Sequence, residues 1–530
     1  MVKIFRILTA LLLAAALLTG CAGQGAGNTV HYRDMEYTRP DLARMEHLLS
    51  MAVEAATAEK YGGQVLDVMS AVYTFYNEYD RFYTNYALAD IRSCHDLTDI
   101  YWEEEYAWCM EKTAEVEALL EDLYRQLAAS PCREELEADA YFGEGFFDYY
   151  DGESIYDEGF LDLLDRESAL QSEYYDLSTL ALEYEYGTEE YYTACGNDMM
   201  DLLAELIALR QEIADYWGYE DYAAFANDFY YYRDYSPEQT EKYLQDIAEQ
   251  LVPLYRELDF DGTGVLAGKP VTEAEFFSFV REAAGNMGGT VQEAFSCLEK
   301  AGLHDTEYGE NKFSTSYEIY LPSYGVPFVF LNPEGTRYDC MTFAHEFGHF
   351  CNDYACQGSY AGVDVLEFFS QGMEYLSLCY GEDTEDLTRI KMADSLCLFV
   401  EQAAFASFEM RMYRLPEEDL TARGLCDLYE SVALEYGFDS VSYDPREFST
   451  ITHFYTNPMY IQGYIFSNDA AMQLYQLEMA EPGAGLALYE RNLSSLEPWF
   501  QAFLDTAGLG SPFREGRAEE LAQTFREIFE

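Results

Sequence analysis

Basic residues are scarce in this chain of 530 residues, which has 31 Lys and Arg against 98 Asp and Glu and a formal net charge of −67. A surface this acidic repels polyanions, so the composition argues against nucleic acid or an anionic membrane surface as a partner. The same charge favours cationic peptides over acidic ones, although an acidic surface also serves solubility or salt adaptation.

Paired cysteines are lacking as well. Apart from Cys21, the other eleven of the twelve cysteines are scattered without a CxxC pair, and eleven is an odd number. This spacing predicts neither a disulfide framework nor a structural zinc site. Cys340, Cys351 and Cys356 flank the histidine motif described below, and we interpret them as small buried hydrophobic residues or free thiols.

The chain has one long apolar run, at its N-terminus, and no second one. Residues 1–20 combine the positive charges of Lys3 and Arg6 with a short apolar core ending at Leu18, which is typical of an export signal. The segment Leu18-Thr-Gly-Cys21 resembles a bacterial lipobox, so Cys21 is predicted to carry a lipid anchor. The expected location is the extracytoplasmic side of a bacterial cell envelope; an ordinary secretory signal is the alternative.

Histidine is rare too, with seven residues, yet two of them form the pattern His345-Glu346-x-x-His349. On a helix, residues four apart project from one face, where two imidazoles can bind one metal ion. Glu346 is then placed as the general base that takes a proton from metal-activated water. Asp339 is predicted to cap this helix. The alternative is a pair of histidines in the core or on the surface.

A catalytic zinc site needs a third protein ligand and an open position for water. Downstream, Asp364, Glu367 and Glu374 lie three and seven residues apart on a second helix-like segment and share one face. Spacing alone leaves all three carboxylates open as the ligand.

The rest of the chain has mainly helical patterning. The segment 102–127 is helix-periodic, residues 141–160 read as a loop, Ser236 and Pro237 mark a helix start, and 395–415 is another helix. Short runs at 317–321 and 327–331 predict strands beside the helix that carries His345 and His349. The edge of such a strand could hold a peptide by main-chain pairing. Because the chain is too long for one core, we expect two or more lobes.

The motif His345-Glu-Phe-Gly-His349, followed by Glu367-x-x-Ser370, resembles the M3 family of zinc metallopeptidases, which includes thimet oligopeptidase and oligoendopeptidase F. The resemblance implies that Glu367 is the third ligand of one Zn²⁺ per chain. Asp364 and Glu374 then become candidates for accepting the free N–H of a ligand histidine.

The same resemblance implies a mainly α fold, with two helical lobes around a deep channel and a small β-sheet beside the zinc-binding helices. It also places a boundary near residue 195. The predicted organisation is a signal peptide at 1–20, an N-terminal helical domain at 21–195 and a catalytic domain at 196–530.

A segment rich in tyrosine near the C-terminus matches a family segment that faces the zinc. The resemblance assigns His453 and Tyr464 to stabilising the oxyanion, with Tyr464 favoured as the donor. Tyr460 and Tyr455 are expected to bind substrate. A one-residue difference around Pro458 leaves open which tyrosine donates.

The predicted function is a zinc-dependent endopeptidase that hydrolyses short unfolded peptides with metal-activated water. The predicted partners are peptide substrates and, through the anchor at Cys21, a membrane. Two alternatives stay open: another zinc peptidase of this helical type, such as a metallocarboxypeptidase, or a lipoprotein that binds peptides without cutting them.

Overall fold

The structure is a computed structural model that describes residues 30–57, 65–138, 142–151, 157–181, 183–258, 270–358, 361–438 and 444–529. It confirms the prediction of a mainly helical chain with one small sheet. The predicted signal peptide and the anchor residue Cys21 lie outside the described residues. Within these ranges, no helix is long and apolar enough to cross a membrane.

The N-terminal part packs its helices around a core of its own, formed by buried residues between 45 and 150. The segment predicted as helix-periodic from 102 to 127 is the long helix α3. The elements are α1 (Leu42–Thr57), α2 (Val65–His95), α3 (Ile100–Ala128), α4 (Arg133–Glu137) and a 3-10 turn at Phe146–Asp151. The loop predicted at 141–160 lies partly outside the described residues; the described part contains this turn and the start of the next helix at Glu158. Phe147 is fully buried, because the aromatic residues here pack into the core.

A second, larger core extends through the rest of the described chain and also takes in Met35 and the C-terminal end of α2. Phe160 and Tyr174 belong to it, so the smaller core ends before the predicted boundary at 195, which stays a prediction. Its first helices are α5 (Glu158–Ala181), α6 (Glu189–Tyr191, continued by a π turn at Tyr192–Gly196), α7 (Asn197–Tyr216), α8 (Tyr222–Phe229), α9 (Pro237–Gln250), α10 (Val252–Leu258), α11 (Glu273–Met287) and α12 (Gly289–Ala301). Ser236 caps α9 and Pro237 opens it, as predicted.

A three-stranded sheet of order β1-β3-β2 follows, with β1 (His304–Asp305), β2 (Ser316–Leu321) and β3 (Val326–Leu331). The central strand β3 is buried at every position, as expected for a continuous apolar run. β2 pairs antiparallel with β3 on one side only, so its other edge is not paired within the described sheet. Both predicted strands are confirmed, and β1 was not predicted because it has only two residues.

Two helices carry the histidine motif and the downstream carboxylates: α13 (Asp339–Cys356) and α14 (Val363–Tyr380). Asp339 does not cap α13; its carboxylate accepts the N–H groups of Glu334, Gly335 and Thr336, so it stabilises the preceding turn instead.

The last helices are α15 (Glu385–Met412), α16 (Ala422–Glu435), α17 (Thr452–Thr456), α18 (Gln462–Ala480), α19 (Ala484–Asn492), α20 (Phe500–Ala507) and α21 (Arg517–Phe529). The helix predicted to begin at 395 begins ten residues earlier, at Glu385, and ends close to the predicted position. The eleven cysteines after Cys21 are free thiols, seven of them buried.

Candidate metal centre and active site

Three side chains from α13 and α14 converge on one point. His345 Nε2 lies 3.4 Å from Glu367 Oε2, and His349 Nε2 lies 3.8 Å from the same oxygen. All three donor atoms lie within 4.8 Å of one another. Because tetrahedral bonds of about 2.0–2.2 Å place neighbouring ligand atoms roughly 3.3 Å apart, this donor set fits a divalent metal ion. Among the described residues it is the one such group of His, Cys, Asp or Glu.

The convergence depends on a close approach of the two helices. Gly348 lies on the face of α13 that packs against α14. A Cβ added at residue 348 would lie 2.5 Å from the Phe369 backbone oxygen and 2.6 Å from the Ser370 Cα. Backbone atoms cannot yield as a flexible side chain can, so only glycine allows this packing. The close packing of α13 on α14 therefore requires glycine at position 348, which was not predicted from the sequence.

Glu374 orients the first histidine. Its Oε1 lies 2.9 Å from His345 Nδ1, so the imidazole donates there and turns Nε2 toward the metal position. The ammonium of Lys391 lies 2.8 Å from Glu374 Oε2. Burial works against the charge on Glu374, but Lys391 and His345 together outweigh it and lower the pKa of the carboxyl group. The predicted role of Glu374 matches this geometry.

Asp364 has a different position from the one predicted. Its oxygens accept hydrogen bonds from the Arg233 guanidinium, at 3.1 Å each, and from the Tyr235 hydroxyl, at 2.6 Å. The side chain of Asp364 thus pairs with a buried arginine and not with a ligand histidine. Asp364 lies almost one helical turn before Glu367, and at that position its side chain faces Arg233 and Tyr235.

Two of the three ligands, Glu367 and His349, have the protonation state that a metal ion requires. Burial opposes the charge on Glu367, but the hydrogen bond from His345 and the nearby imidazoles outweigh it and lower its pKa to about 2. Burial lowers the pKa of His349 to about 4, which keeps this imidazole neutral. Burial opposes the charge on His345, but its hydrogen bonds to Glu367 and Glu374 outweigh it and raise the pKa well above the usual range, so this imidazole releases a proton on binding a metal ion. Ser370 and Tyr460 donate hydrogen bonds to Glu367 at 3.0 Å each, which fixes its orientation.

Glu346 lies next to this cluster and borders the open space above it. It is 5% exposed, and burial raises its pKa to about 7. A carboxyl group with a pKa near the working pH is suited to accept and return a proton. The Ser316 side chain of β2 lies beside it, and sequence reasoning did not identify this neighbour.

The C-terminal aromatic residues gather beside the metal cluster. The ring centroids of Tyr460 and Tyr464 are 5.2 Å apart, and His453 lies 5.4 Å and 6.0 Å from them. The Tyr460 hydroxyl donates a hydrogen bond to Glu367. Tyr464 borders the cavity, and its hydroxyl makes no such bond to Glu367. Burial lowers the pKa of His453, so its imidazole is neutral.

Tyr455 does not face this space, which corrects its predicted role in substrate binding. It is fully buried, its ring stacks on Tyr174 at 4.0 Å, and its hydroxyl donates to the Met199 carbonyl at 3.2 Å. Its direction follows from α17, a short helix on which Tyr455 and His453 point to different sides.

Two family models match the chain: the peptidase M3 N-terminal domain at residues 32–151, and peptidase family M3 at residues 297–495. Together they cover more than half of it. The chain belongs to peptidase family M3. No curated protein gives a significant sequence match.

Solved structures share the fold of this M3 peptidase. An oligoendopeptidase F structure has a TM-score of 0.77 at 20% identity, covering 94% of this chain and 99% of that one. PZ peptidase A with an inhibitor has a TM-score of 0.77 at 19% identity, covering 93% and 98%. An oligoendopeptidase F from Bacillus anthracis has a TM-score of 0.73 at 19% identity, covering 94% and 98%. At these identities the likeness establishes the fold.

Two buried arginines and a buried glutamate hold the tyrosine segment of the M3 peptidase in place. Arg210 donates to the Phe454 carbonyl at 2.6 Å, and Arg233 donates to the Met459 carbonyl at 2.7 Å. Glu409 accepts the Met459 N–H at 2.7 Å. Met459 has a φ of 67°, a left-handed conformation that a non-glycine residue holds only under such constraint.

Neither these arginines nor Glu409 was predicted to serve the site. The available signal was a cation within an apolar stripe: Arg210 follows the leucine-rich pattern of α7, where an unpaired charge would be costly. The pattern does not reveal which distant segment supplies the partner.

The M3 peptidase has a cavity of about 540 Å³ in front of the metal cluster. Residues 316–318 of β2, the first turns of α13 and α14, and the two tyrosines border it. Successive side chains of a strand point to opposite faces of the sheet, yet Ser316, Tyr317 and Glu318 all border the cavity. The cavity therefore lies along the edge of β2.

Proposed function

We propose that this M3 peptidase is a zinc-dependent endopeptidase that hydrolyses short unfolded peptides. The observation that carries the proposal is the convergence of His345, His349 and Glu367 on one metal position, with Glu346 beside it at an open cavity. Two imidazoles and a carboxylate are the donor set of zinc hydrolases that keep one coordination position for water.

Zinc suits this set of nitrogen and oxygen donors best among the common metal ions. When bound, Zn²⁺ supplies a Lewis acid that activates water and polarises the scissile carbonyl. His345 and His349, through Nε2, and Glu367 would hold the ion, and Glu374 keeps His345 in the required tautomer.

The chain's own groups then handle the protons and the developing charge. Glu346 takes the proton of the attacking water and returns it to the leaving amine, which a carboxyl group with a pKa near 7 can do. Tyr464, whose hydroxyl is not used by Glu367, donates to the developing oxyanion with His453 nearby. Tyr460 contributes by holding Glu367.

Peptide binding is supported by the edge of β2. An extended peptide can add to an unpaired strand edge through main-chain hydrogen bonds, which act independently of the peptide's side chains. A folded protein does not offer a free extended segment, so the proposed substrates are short and unfolded.

The test uses purified protein from residue 22 onward, loaded with zinc, and peptides blocked at both ends. Internal cleavage that a chelator abolishes and zinc restores supports the proposal. Glu346→Gln should retain stoichiometric zinc and lose nearly all turnover. Cleavage only of peptides with a free C-terminus would indicate a metallocarboxypeptidase. Binding of peptides without cleavage, unchanged in Glu346→Gln, would indicate a peptide-binding lipoprotein.

The lipid anchor at Cys21 is a further part of the proposal, and it rests on the lipobox pattern alone. Expression of the full chain in bacteria with labelled palmitate tests it. Wild-type protein should carry the label and sediment with membranes, whereas Cys21→Ser should do neither. A wild-type protein released without label would make residues 1–20 an ordinary secretory signal.

A further inference from the structure

One carboxylate in the cavity has no part in the proposed chemistry. Four glutamates line this space: Glu318, Glu346, Glu367 and Glu374. The last three are accounted for as the general base, the metal ligand and the partner of His345. Glu318 lies on β2, and neither the metal nor the proton transfer requires it.

Glu318 stands in a row of contacts between β2 and α13. Side chains two apart on a strand share a face, about 6.6 Å apart, so Ser316 and Glu318 both face the helix. Ser316 lies beside Glu346, and Glu318 lies against Asp353. Glu346 and Asp353 are seven residues apart and therefore share one face of α13.

The row continues with Tyr320, whose ring lies 3.0 Å from the position that a Cβ at Gly358 would take. Strand and helix thus run side by side. Ser316 lies beside the general base Glu346, and Glu318 is the next residue on the same face of the strand. A peptide paired with the edge of β2 would place a side chain one or two residues from its scissile bond at this step.

The carboxyl group of Glu318 is only partly satisfied by the protein: it shares a hydrogen bond with the Asp353 side chain and accepts one from the Phe328 backbone. Its Oε1 is buried without a hydrogen-bond partner among the described residues. Burial, with the nearby carboxyl groups of Asp353 and Glu346, raises its pKa well above the usual range. The described residues that line the cavity include no Lys or Arg. A buried acceptor next to further acids is costly unless a donor or a positive charge reaches it.

We propose that Glu318, together with Asp353, is a specificity determinant that binds a Lys or Arg side chain of the substrate, one or two residues from the scissile bond. An ammonium or guanidinium group supplies both the hydrogen-bond donors and the charge that the site lacks. The net charge of −67 attracts such peptides from a distance. This inference rests on the proposed endopeptidase function.

The test compares blocked peptides of one sequence in which each position near the cleaved bond carries in turn Lys or its neutral analogue norleucine, and Arg or neutral citrulline. For wild-type protein at one position, kcat/KM should favour the cationic residue by about 10- to 100-fold. In Glu318→Gln this ratio should fall to within about threefold of unity. Glu318→Lys should instead favour a peptide with Glu at that position.

A matched control is Glu430→Gln, which removes the same charge from an exposed position on α16 and should keep the wild-type ratio. Each protein is compared with itself, so changes in overall turnover do not affect the ratio. Zinc content and thermal unfolding show whether a variant is folded. Should Glu318→Gln fail to fold, Asp353→Asn provides the second variant, with a reduced ratio expected.

A wild-type ratio near one at every position overturns the inference, as does a ratio that survives in the folded Glu318 or Asp353 variants. These results differ from failure of the proposed function itself, in which no blocked peptide of either kind is cleaved.

Discussion

Glu374 and His345 lie 29 positions apart in the chain, and Glu374 Oε1 lies 2.9 Å from His345 Nδ1. Lys391 neutralises the far side of the same carboxylate at 2.8 Å. The three side chains form a line from α15 through α14 to α13 that ends at the metal position. The orientation of a ligand on one helix is thus set by charges on two others.

Replacing Glu374 with Gln should weaken zinc binding by about 10- to 100-fold, because His345 loses its charged acceptor and its fixed orientation. The expected result is a larger dissociation constant in competition with a fluorescent zinc chelator. Glu430→Gln serves as the control for loss of one negative charge. Equal zinc affinity in wild type and Glu374→Gln would show that the hydrogen bond does not orient the ligand.

The two tyrosines near the metal should differ in their effects. Tyr464→Phe should lower kcat by about 10²- to 10³-fold with little change in zinc content, since it removes the proposed oxyanion donor. Tyr460→Phe should mainly weaken zinc binding, by about tenfold, because Glu367 loses a hydrogen bond. Steady-state kinetics and zinc titration of both variants separate these effects. A zinc-saturated Tyr460→Phe that is the slower of the two would reverse the roles.

Arg233→Met should destabilise the protein by about 3–5 kcal/mol, because it leaves the buried Asp364 without its positively charged partner. Denaturant unfolding measures the change. The control is Arg281→Met: Arg281 pairs with Glu299 at the surface, with about half of each side chain exposed, and should cost no more than about 1 kcal/mol. Similar losses for both variants would refute a special role for the buried pair.

Glu409 predicts how stability depends on pH. Burial raises its pKa to about 8, whereas a glutamate in the unfolded chain titrates near 4.3. Between these values the folded chain holds a proton that the unfolded chain has released, so this group's contribution to stability is lost as pH rises toward 8.

Glu409→Gln removes that dependence, since an amide has no proton to lose. Melting temperatures of metal-free wild type and variant at pH 5, 6.5 and 8 should show the wild type losing stability relative to the variant as pH rises. Expressed as free energy of unfolding, this relative loss should amount to a few kcal/mol. A constant difference across this range would mean that Glu409 is ionised in the folded protein.

The helices and strands near the site were largely predictable because their signals are local. Ser236 and Pro237 mark the start of α9, and the apolar runs bounded by Pro and Gly are β2 and β3. Helix boundaries were less predictable: α15 begins at Glu385, because burial against neighbouring helices extends it beyond its clear pattern.

The site was predictable where one helix carries it. His345, Glu346 and His349 share a turn, so their mutual placement follows from helical geometry. The choice among Asp364, Glu367 and Glu374 did not follow, because a helix face is broad enough for three carboxylates. Tyr455 was assigned wrongly for a related reason: clustering in sequence does not tell which side of a short helix faces the core.

The sequence by itself determined the helical class, the metal motif and the acidic character, since each depends on residue types and short-range spacing. Only the tertiary structure decided that Glu374 serves His345, that Asp364 pairs with Arg233, and that Oε1 of Glu318 is left without a hydrogen-bond partner among the described residues. These outcomes depend on which helices and strands pack together, and the backbone contact at Gly348 shows that such packing is set to within an ångström.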